Sequence, residues 1–525
     1  MNATAADGTP VSAWLVAIVV SLATFMEVLD TTIVNVSLTH IAGSLGATPD
    51  EATWVLTSYL VANGIVLPIS GWLAQVLGRK RFFMMCIFGF TVSSLACGLA
   101  DSLGMLVVCR LIQGMCGGGL QPIQQSIVMD AFPPHKRGQV FALTGITLIA
   151  APVLGPTLGG WITDTFSWHW VFLINVPVGF LAFFLVGRLV KDPKHAEAQG
   201  LKKIDYTGLG LIAVGLGSLQ VVLDKGQTLD WFHSNTIILL SILSVVCLIS
   251  AVFWLLKQDD PVIDLRLVKN RSFGLGMVLI FLTGFALYGS SALLPLLVQS
   301  QFGYDALLSG LVLSPGALAL MFLMPLSGQL VSRVQARYLV AFGLTCCSIG
   351  MFYTSFISPQ TDYQTFVIMR LVQMMGIPFL FIPVSALAFM DVPKEKSSKA
   401  SAFFSLSRNL GGSVGIAIVA SYVSRHSQIH QNKLVERLVP GDPVYENARQ
   451  IMIQSYEGKG IPQGTAEQFA TGQIYREVLH QASILAFHDV FMLMTIMMMI
   501  GALLTVFMPA NDPRAGQGKD APAAH

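Results

Sequence analysis

Apolar runs of membrane-crossing length recur fourteen times between Ala13 and Met508. That recurrence leaves few folds open. Hydrocarbon offers no hydrogen-bond partner to the backbone, so a chain that crosses it repeatedly does so as helices or as a closed barrel. Runs of about 20 apolar residues have the helical length. They read 13–38, 52–74, 82–100, 104–128, 138–162, 169–190, 205–223, 236–256, 272–298, 305–331, 338–357, 364–390, 399–423 and 485–508. Only 11% of the 525 residues are charged, against about 25% in soluble proteins. The expectation is an all-α, multi-pass membrane protein in a lipid bilayer. Residues 1–12 lack a basic segment of signal-peptide type, so the first run is expected to be retained.

Lysine and arginine set the orientation, because short cytoplasmic loops collect them. With the N-terminus inside, the inner connections hold Arg79-Lys80-Arg81, Lys136-Arg137, the 188–203 cluster, Lys257 to Arg271, Arg333, Arg337 and Lys394 to Lys399. The tail adds Arg514 and Lys519, and the short outer connections hold only Lys225. Both termini are expected in the cytoplasm. The chain also repeats itself. Arg110-Leu-Ile-Gln113 in the fourth run returns as Arg370-Leu-Val-Gln373 in the twelfth. Gly71-x-Leu73 with Arg79 returns as Gly328-x-Leu330 with Arg333. Repeated halves mark secondary transporters. The expected units are a six-helix half over 1–190 and a linker with two extra spans over 191–271. A second six-helix half follows over 272–508, then a tail over 509–525.

Charges inside the runs are the functional candidates. A central Asp costs roughly 2.5–3.5 kcal/mol on insertion, so intramembrane carboxylates usually face protein or a watery cavity. Glu27 lies 14 residues into the first run, about 20 Å along a helix. Asp30 follows at i+3 on the same face. Arg110 in the fourth run sits at the depth of Asp30, roughly 9–12 Å from the outer surface. A buried guanidinium needs a partner, and Asp30 and Glu27 are the candidates. A neighbouring cation favours a carboxylate's charged form and burial disfavours it, so such a site can exchange a proton when water access changes. Gln113, Gln121 and Gln124 on the same run, Arg370 and Gln373 on the twelfth, and Arg408 and Asn409 on the thirteenth are candidates for a polar lining or for interhelical bonds. The fifth run holds Pro152, Gly155, Pro156, Gly159 and Gly160. Its GxxxG admits close helix approach and its prolines favour a bend, as in a packed seam between the halves that acts as a gate. Gly71, Gly78 and Arg79 belong to a tight basic turn.

No P-loop, GxSxG or HExxH is present, so neither an ATP-driven motor nor an enzyme is expected. The seven cysteines all fall in apolar runs, without CxxC spacing, and the ten histidines scatter mainly through connections. No disulfide, metal, organic cofactor or nucleic-acid partner is expected.

These residues bring a family into view. The chain resembles the major facilitator superfamily over essentially its whole length, and within it the fourteen-helix drug:proton antiporters of EmrB type. Leu29-Asp30-Thr31-Thr32-Ile33-Val34-Asn35-Val36 is similar to that subgroup's first-span motif, which adds Asn35 to the cavity candidates. Arg110-x-x-Gln113-Gly114 resembles the fourth-span motif whose arginine is tied to proton coupling. Pro152-x-x-Gly155-Pro156-x-x-Gly159-Gly160 resembles the antiporter motif. Asn175-Val176-Pro177-Val178-Gly179 is a further subgroup-like stretch. One position departs: Gln75 stands where the basic-turn motif usually has Asp, so that residue's gating role does not carry over. The resemblance implies alternating access and a bacterial inner membrane, with protons as coupling ion. It implies export of hydrophobic, often weakly acidic drugs or fatty acids, with a periplasmic membrane-fusion adaptor and an outer-membrane channel as partners. Proton-linked uptake or export of a specific metabolite or fatty acid is the alternative, because the same halves and carboxylates serve it.

Two segments remain. The two extra spans are expected to pack or dock without proton chemistry, with only Gln220 and Asp224 facing inward. The connection 424–484 is long for a structureless loop. Its mixed stretches 448–456 and 466–485 suggest short amphipathic helices, lying over the outer exit and helping to dock the adaptor.

Overall fold

The computed structural model describes residues 2–4, 10–133, 136–192, 205–436, 438 and 441–509. Two three-residue strands, β1 (Asn2–Thr4) and β2 (Pro10–Ser12), pair antiparallel before the first span. The first half then runs through α1 (Ala13–Ser44), a one-turn α2 (Pro49–Ala52), α3 (Trp54–Leu77) and α4 (Arg79–Cys97). The fourth span is two helices, α5 (Leu103–Gly117) and α6 (Leu120–Ala131). Next come α7 (Arg137–Thr165), a short α8 (Trp170–Leu173) and α9 (Asn175–Leu189). The extra pair is α10 (Tyr206–Lys225) and α11 (Asn235–Lys257). The second half holds α12 (Arg271–Phe302), α13 (Ala306–Leu330) and α14 (Ala336–Ser355), then a divided span, α15 (Tyr363–Met375) and α16 (Pro378–Ala388). It closes with α17 (Ser397–Val435), α18 (Pro443–Glu457) and α19 (Gln463–Leu504).

All fourteen apolar runs are therefore helical. Thirteen helices among the described residues are long and apolar enough to cross a membrane. The remaining run lies in α7, which is 29 residues long and includes side chains outside the described ones. Side chains punctuate the bundle. Asp205, Asp305 and Asp362 accept from the backbone N–H three residues on, at 2.8, 2.7 and 3.1 Å, capping α10, α13 and α15. The fourth and twelfth spans break at matching places, after Gly117 and after Met375, each with a proline close behind. The internal repeat thus extends to a shared kink.

The halves meet along two seams. On one, α7 packs on α13 and α16; on the other, α3 and α6 pack on α17. The extra α10 lies against both α3 and α17, and α11 packs outside it. Leu67 and Trp72 of α3, Ile212 and Leu216 of α10, and Leu406 of α17 form one apolar cluster there. The extra pair therefore covers one face of the junction between the halves. The stretches 193–204 and 510–525, with Lys202, Lys203, Arg514 and Lys519, lie outside the described residues.

One expectation is corrected. Gly155 and Gly159 do not form a seam between the halves. A Cβ on Gly155 would collide with the Thr32 Oγ1, and one on Gly159 would meet the Ile33 carbonyl at 2.8 Å. Both partners lie on α1, in the same half. The opposite half meets α7 at Gly138 and Gly145, where an added Cβ would meet the Gly328 carbonyl and the Met324 Cε at 2.8 Å each. A small-residue stripe signals close approach without naming the neighbour. A Cβ on Gly160 would meet nothing within 4 Å among the described residues outside its own helix, and Pro152 and Pro156 lie in α7 with their side chains outside the described ones.

At the basic end the halves are joined. Gly78 turns the chain at φ 86°, which only glycine adopts at little cost. Arg79 is 3% exposed and pairs with Asp130, and its Nη2 donates to Ser397 Oγ across the seam at 3.3 Å. Gln75 Nε2 donates to the Glu395 carbonyl at 3.0 Å. A Cβ on Gly71 would strike Lys399 Cα at 2.7 Å.

At the other end α17 and α19 run far past the apolar runs, and α18 lies between them in sequence. The 424–484 connection is therefore a helical stalk. The stretch 448–456 falls within α18, but 466–485 is no separate short helix, because it continues unbroken into the last span as α19. Ile453 of α18 is buried with Ala466 and Ala470 of α19. Ile451, Phe469 and Tyr475 stay about half exposed, at 60%, 50% and 49%.

Candidate functional site

The site is built on α1. Its i, i+3 spacing places Glu27 and Asp30 one turn apart, and α5, α6 and α9 close around them. Asp30 is fully buried and pairs with Arg110 Nη1, also fully buried. Its other oxygen accepts from Gln113 Nε2 at 3.1 Å and Asn175 Nδ2 at 2.8 Å. Arg110 Nε donates to the Val55 carbonyl at 3.2 Å, Nη1 donates to Gln113 Oε1 at 2.8 Å, and Nη2 has no partner among the described residues. The guanidinium carbon stands 4.1 Å from the Tyr59 ring centroid, a cation–π contact in a dry place. The pair is thus almost fully hydrogen-bonded, which a buried ion pair requires.

Glu27 has a different setting. Its Oε1 accepts from Asn63 Nδ2 at 3.1 Å and Tyr59 Oη at 3.3 Å, and Oε2 accepts from Gln121 Nε2 at 2.7 Å. Among the described residues its hydrogen-bond partners are all neutral. Gln121 passes the contact on, because its Oε1 accepts from Arg408 Nη2 on α17. Glu27, Gln121 and Arg408 therefore form a chain of hydrogen bonds from one half to the other. Tyr59 joins the two carboxylate centres, with its hydroxyl on Glu27 and its ring under Arg110.

Glu27 borders a cavity of about 240 Å³ between the halves. Asn63, Gln121, Asn409 and Tyr288 give it polar edges, and Val28, Leu60, Leu223 and Ile416 give it apolar walls. Gln220 and Asp224 of α10 and Gln227 in the turn just after it also face it, so the extra spans build part of the wall and do more than pack outside. Asp224 accepts from Thr57 of α3, and Gln220 Oε1 accepts from Ser413 at 3.2 Å.

The remaining candidates divide. Gln121 and Asn409 line the cavity and Arg408 reaches its edge through Gln121. Gln113 lies with Asp30, away from the cavity. Gln124 Nε2 donates to Ser21 Oγ at 2.8 Å, tying α6 to α1 instead of lining a path. Asn35 is exposed and is not among the cavity residues; it follows Asp30 by five positions and so turns off its face. Arg370 and Gln373 lie away from the cavity. Arg370 donates to Ser290 at 2.9 Å, Ser291 at 2.6 Å and Gln373 at 3.3 Å. Arg110 reaches back 80 residues to Asp30, and Arg370 reaches back 80 to Ser290. The two halves thus repeat the arginine and glutamine, while the carboxylate survives in one of them.

Reading the sequence missed Tyr59, Asn63 and Tyr288, which nothing in their own segments sets apart. Asn175 was visible only as part of a family-like stretch. Its Nδ2 donates to both Asp30 Oδ1, at 2.8 Å, and Ser94 Oγ, at 3.0 Å.

Comparison with known proteins agrees with this geometry. Residues 20–416 match the Major Facilitator Superfamily. The chain is 36% identical over 506 residues to the probable multidrug resistance protein EmrY of Escherichia coli K12, covering 96% of each. It is 36% identical over 494 residues to the multidrug export protein EmrB of Haemophilus influenzae, covering 94% of this chain and 95% of that one. Among solved structures, the human organic anion transporter MFSD10 superposes with a TM-score of 0.58 at 15% identity, covering 93% of this chain and 99% of that one. With two kinked, repeated halves and a cavity between them, this chain belongs to the major facilitator superfamily, among its EmrB/EmrY-type members.

Proposed function

We propose that this protein is a proton-driven exporter of hydrophobic, often weakly acidic compounds across a bacterial inner membrane. It uses fourteen membrane-spanning helices, has both termini in the cytoplasm, and works by alternating access. The observation that carries the reading is the pairing of two unlike carboxylates one turn apart. Asp30 is locked to Arg110 in a dry site, while Glu27 faces the cavity and is bonded through Gln121 to Arg408 of the other half. An unprotonated Glu27 accepts from Gln121 and keeps that cross-half chain intact. Protonation takes away acceptor capacity and loosens it. Asp30 is held by Arg110, so drawing that guanidinium off changes the setting of the carboxylate. Proton loading thereby becomes linked to the relative position of α1, α5 and α17.

The cavity supports the substrate class. Apolar walls favour a lipophilic body, amides at the edge orient it, and Arg408, whose Nε has no partner among the described residues, attracts an anionic group. With the basic end cytoplasmic, the contacts of Arg79, Gln75 and Gly71 with the second half close that side. The cavity then belongs to the outward half of the cycle. The EmrB-type resemblance and the exposed apolar residues of the stalk support a periplasmic adaptor and an outer-membrane channel as partners.

Everted vesicles with an imposed inward-acid gradient test this. Export predicts that a lipophilic substrate added outside the vesicle is accumulated and releases protons from the lumen. Movement of substrate and proton in the same direction would establish uptake instead. No coupling to the gradient would overturn both.

A further inference from the structure

Reading along the chain places the histidines mainly in connections and finds no cluster. The fold makes one. His426 and His430 sit on α17 at i and i+4, so one helix face presents both rings. Asp489 faces them from α19. His426 Nδ1 and His430 Nε2 each lie 2.7 Å from the same oxygen, Asp489 Oδ2. The three donor atoms fall within 4.8 Å of one another. The side chains are only 25%, 19% and 28% exposed. They are sheltered, yet open enough for an ion to enter and for water to complete its shell. Tyr422, one turn before His426, stacks on that ring at 3.8 Å and 15° and fixes its plane.

We infer that His426, His430 and Asp489 form a binding site for a first-row divalent transition-metal ion, best suited to Zn²⁺. Two imidazole nitrogens and one carboxylate oxygen are the donor set such ions take, with a solvent position left open. A histidine pair one turn apart on a helix offers both nitrogens to one point. The site bridges the start of the α17 extension and the foot of α19, where the stalk meets the membrane spans. A bound ion would clamp these two helices together. It lies outside the Asp30/Glu27 machinery and outside the cavity, so its role is structural, bracing the stalk.

The test uses the full chain, purified without a histidine tag and stripped with chelator. Titration with Zn²⁺ followed by calorimetry is expected to give one saturable site per chain and a raised melting temperature. His430→Gln, His426→Gln and Asp489→Asn are expected to weaken binding by at least about tenfold and to abolish the thermal shift. Their metal-free melting should stay near that of the stripped parent. Co²⁺ on the unaltered chain supplies a check that needs no variant. Visible d–d bands without a thiolate charge-transfer band are expected for nitrogen and oxygen ligands. Absence of one-per-chain binding, a cobalt spectrum with thiolate bands, or unchanged Zn²⁺ affinity in the double His426→Gln/His430→Gln chain would each overturn the assignment.

Discussion

Asp30→Asn replaces one carboxylate oxygen with an amide and leaves Arg110 buried without a counter-charge. Breaking a buried pair on one side costs about 3–5 kcal/mol. The expected protein is inserted, melts at a lower temperature in detergent, and performs no uphill export in everted vesicles. Pairing it with Arg110→Gln removes the orphaned charge as well. That double variant should regain thermal stability while transport stays lost, which separates the coupling role from packing. Full gradient-driven export by Asp30→Asn would refute the role given to Asp30. Glu27→Gln keeps the acceptor toward Tyr59 and Asn63 but turns a donor toward the Gln121 amide, breaking the link to Arg408. It should bind substrate and lose most of its proton release on substrate addition. If this variant alone loses coupling and Asp30→Asn retains it, the two carboxylates exchange roles.

Between α1 and α7 the contact is set by single atoms. Gly155→Val drives its Cβ into the Thr32 Oγ1. Overpacking of this kind costs about 1–3 kcal/mol, to be read as a fall in melting temperature. Gly160→Ala on the same helix meets nothing within 4 Å among the described residues and removes a helix-interior glycine. It should be neutral or stabilise by up to about 1 kcal/mol. Equal effects at both positions would contradict the α1–α7 seam. At α10, Asp224 lines the cavity but bonds Thr57 and not the carboxylate pair. Asp224→Asn is expected to change the relative affinity for different substrates while protons released per substrate stay the same. Loss of coupling at normal expression would show that the extra spans carry proton chemistry after all.

The whole molecule joins a closed basic end, a central cavity and a stalk at the far end. Replacing residues 427–482 with a short Gly/Ser linker removes the stalk beyond the membrane spans. Docking of a periplasmic adaptor on its exposed apolar residues predicts lost adaptor pull-down and lost whole-cell resistance, while substrate–proton exchange in vesicles persists. Unchanged adaptor capture would mean that the stalk is a self-packed cap, with α18 covering α19 through Ile453, Ala466 and Ala470.

Sequence alone determined the helical spans, because transfer into hydrocarbon is priced residue by residue and backbone satisfaction forces helices. It also singled out Asp30 and Arg110, since a charge inside a span demands a partner, and the paired RLxQ stretches exposed the doubled architecture. Other features depended on the third dimension. Hydroxyls and amides such as Tyr59, Asn63 and Asn175 are too common to stand out until they converge on a carboxylate. The glycines of α7 announced close approach, but which helix approached was a matter of how the bundle closes. Asn35 belonged to a telling motif and still turned away, five positions round the helix from Asp30. Gln121 became a bridge only when Arg408 arrived from the other half. Asp489 met His426 and His430 only because α17 and α19 pack side by side, bringing together residues about 60 positions apart in the chain.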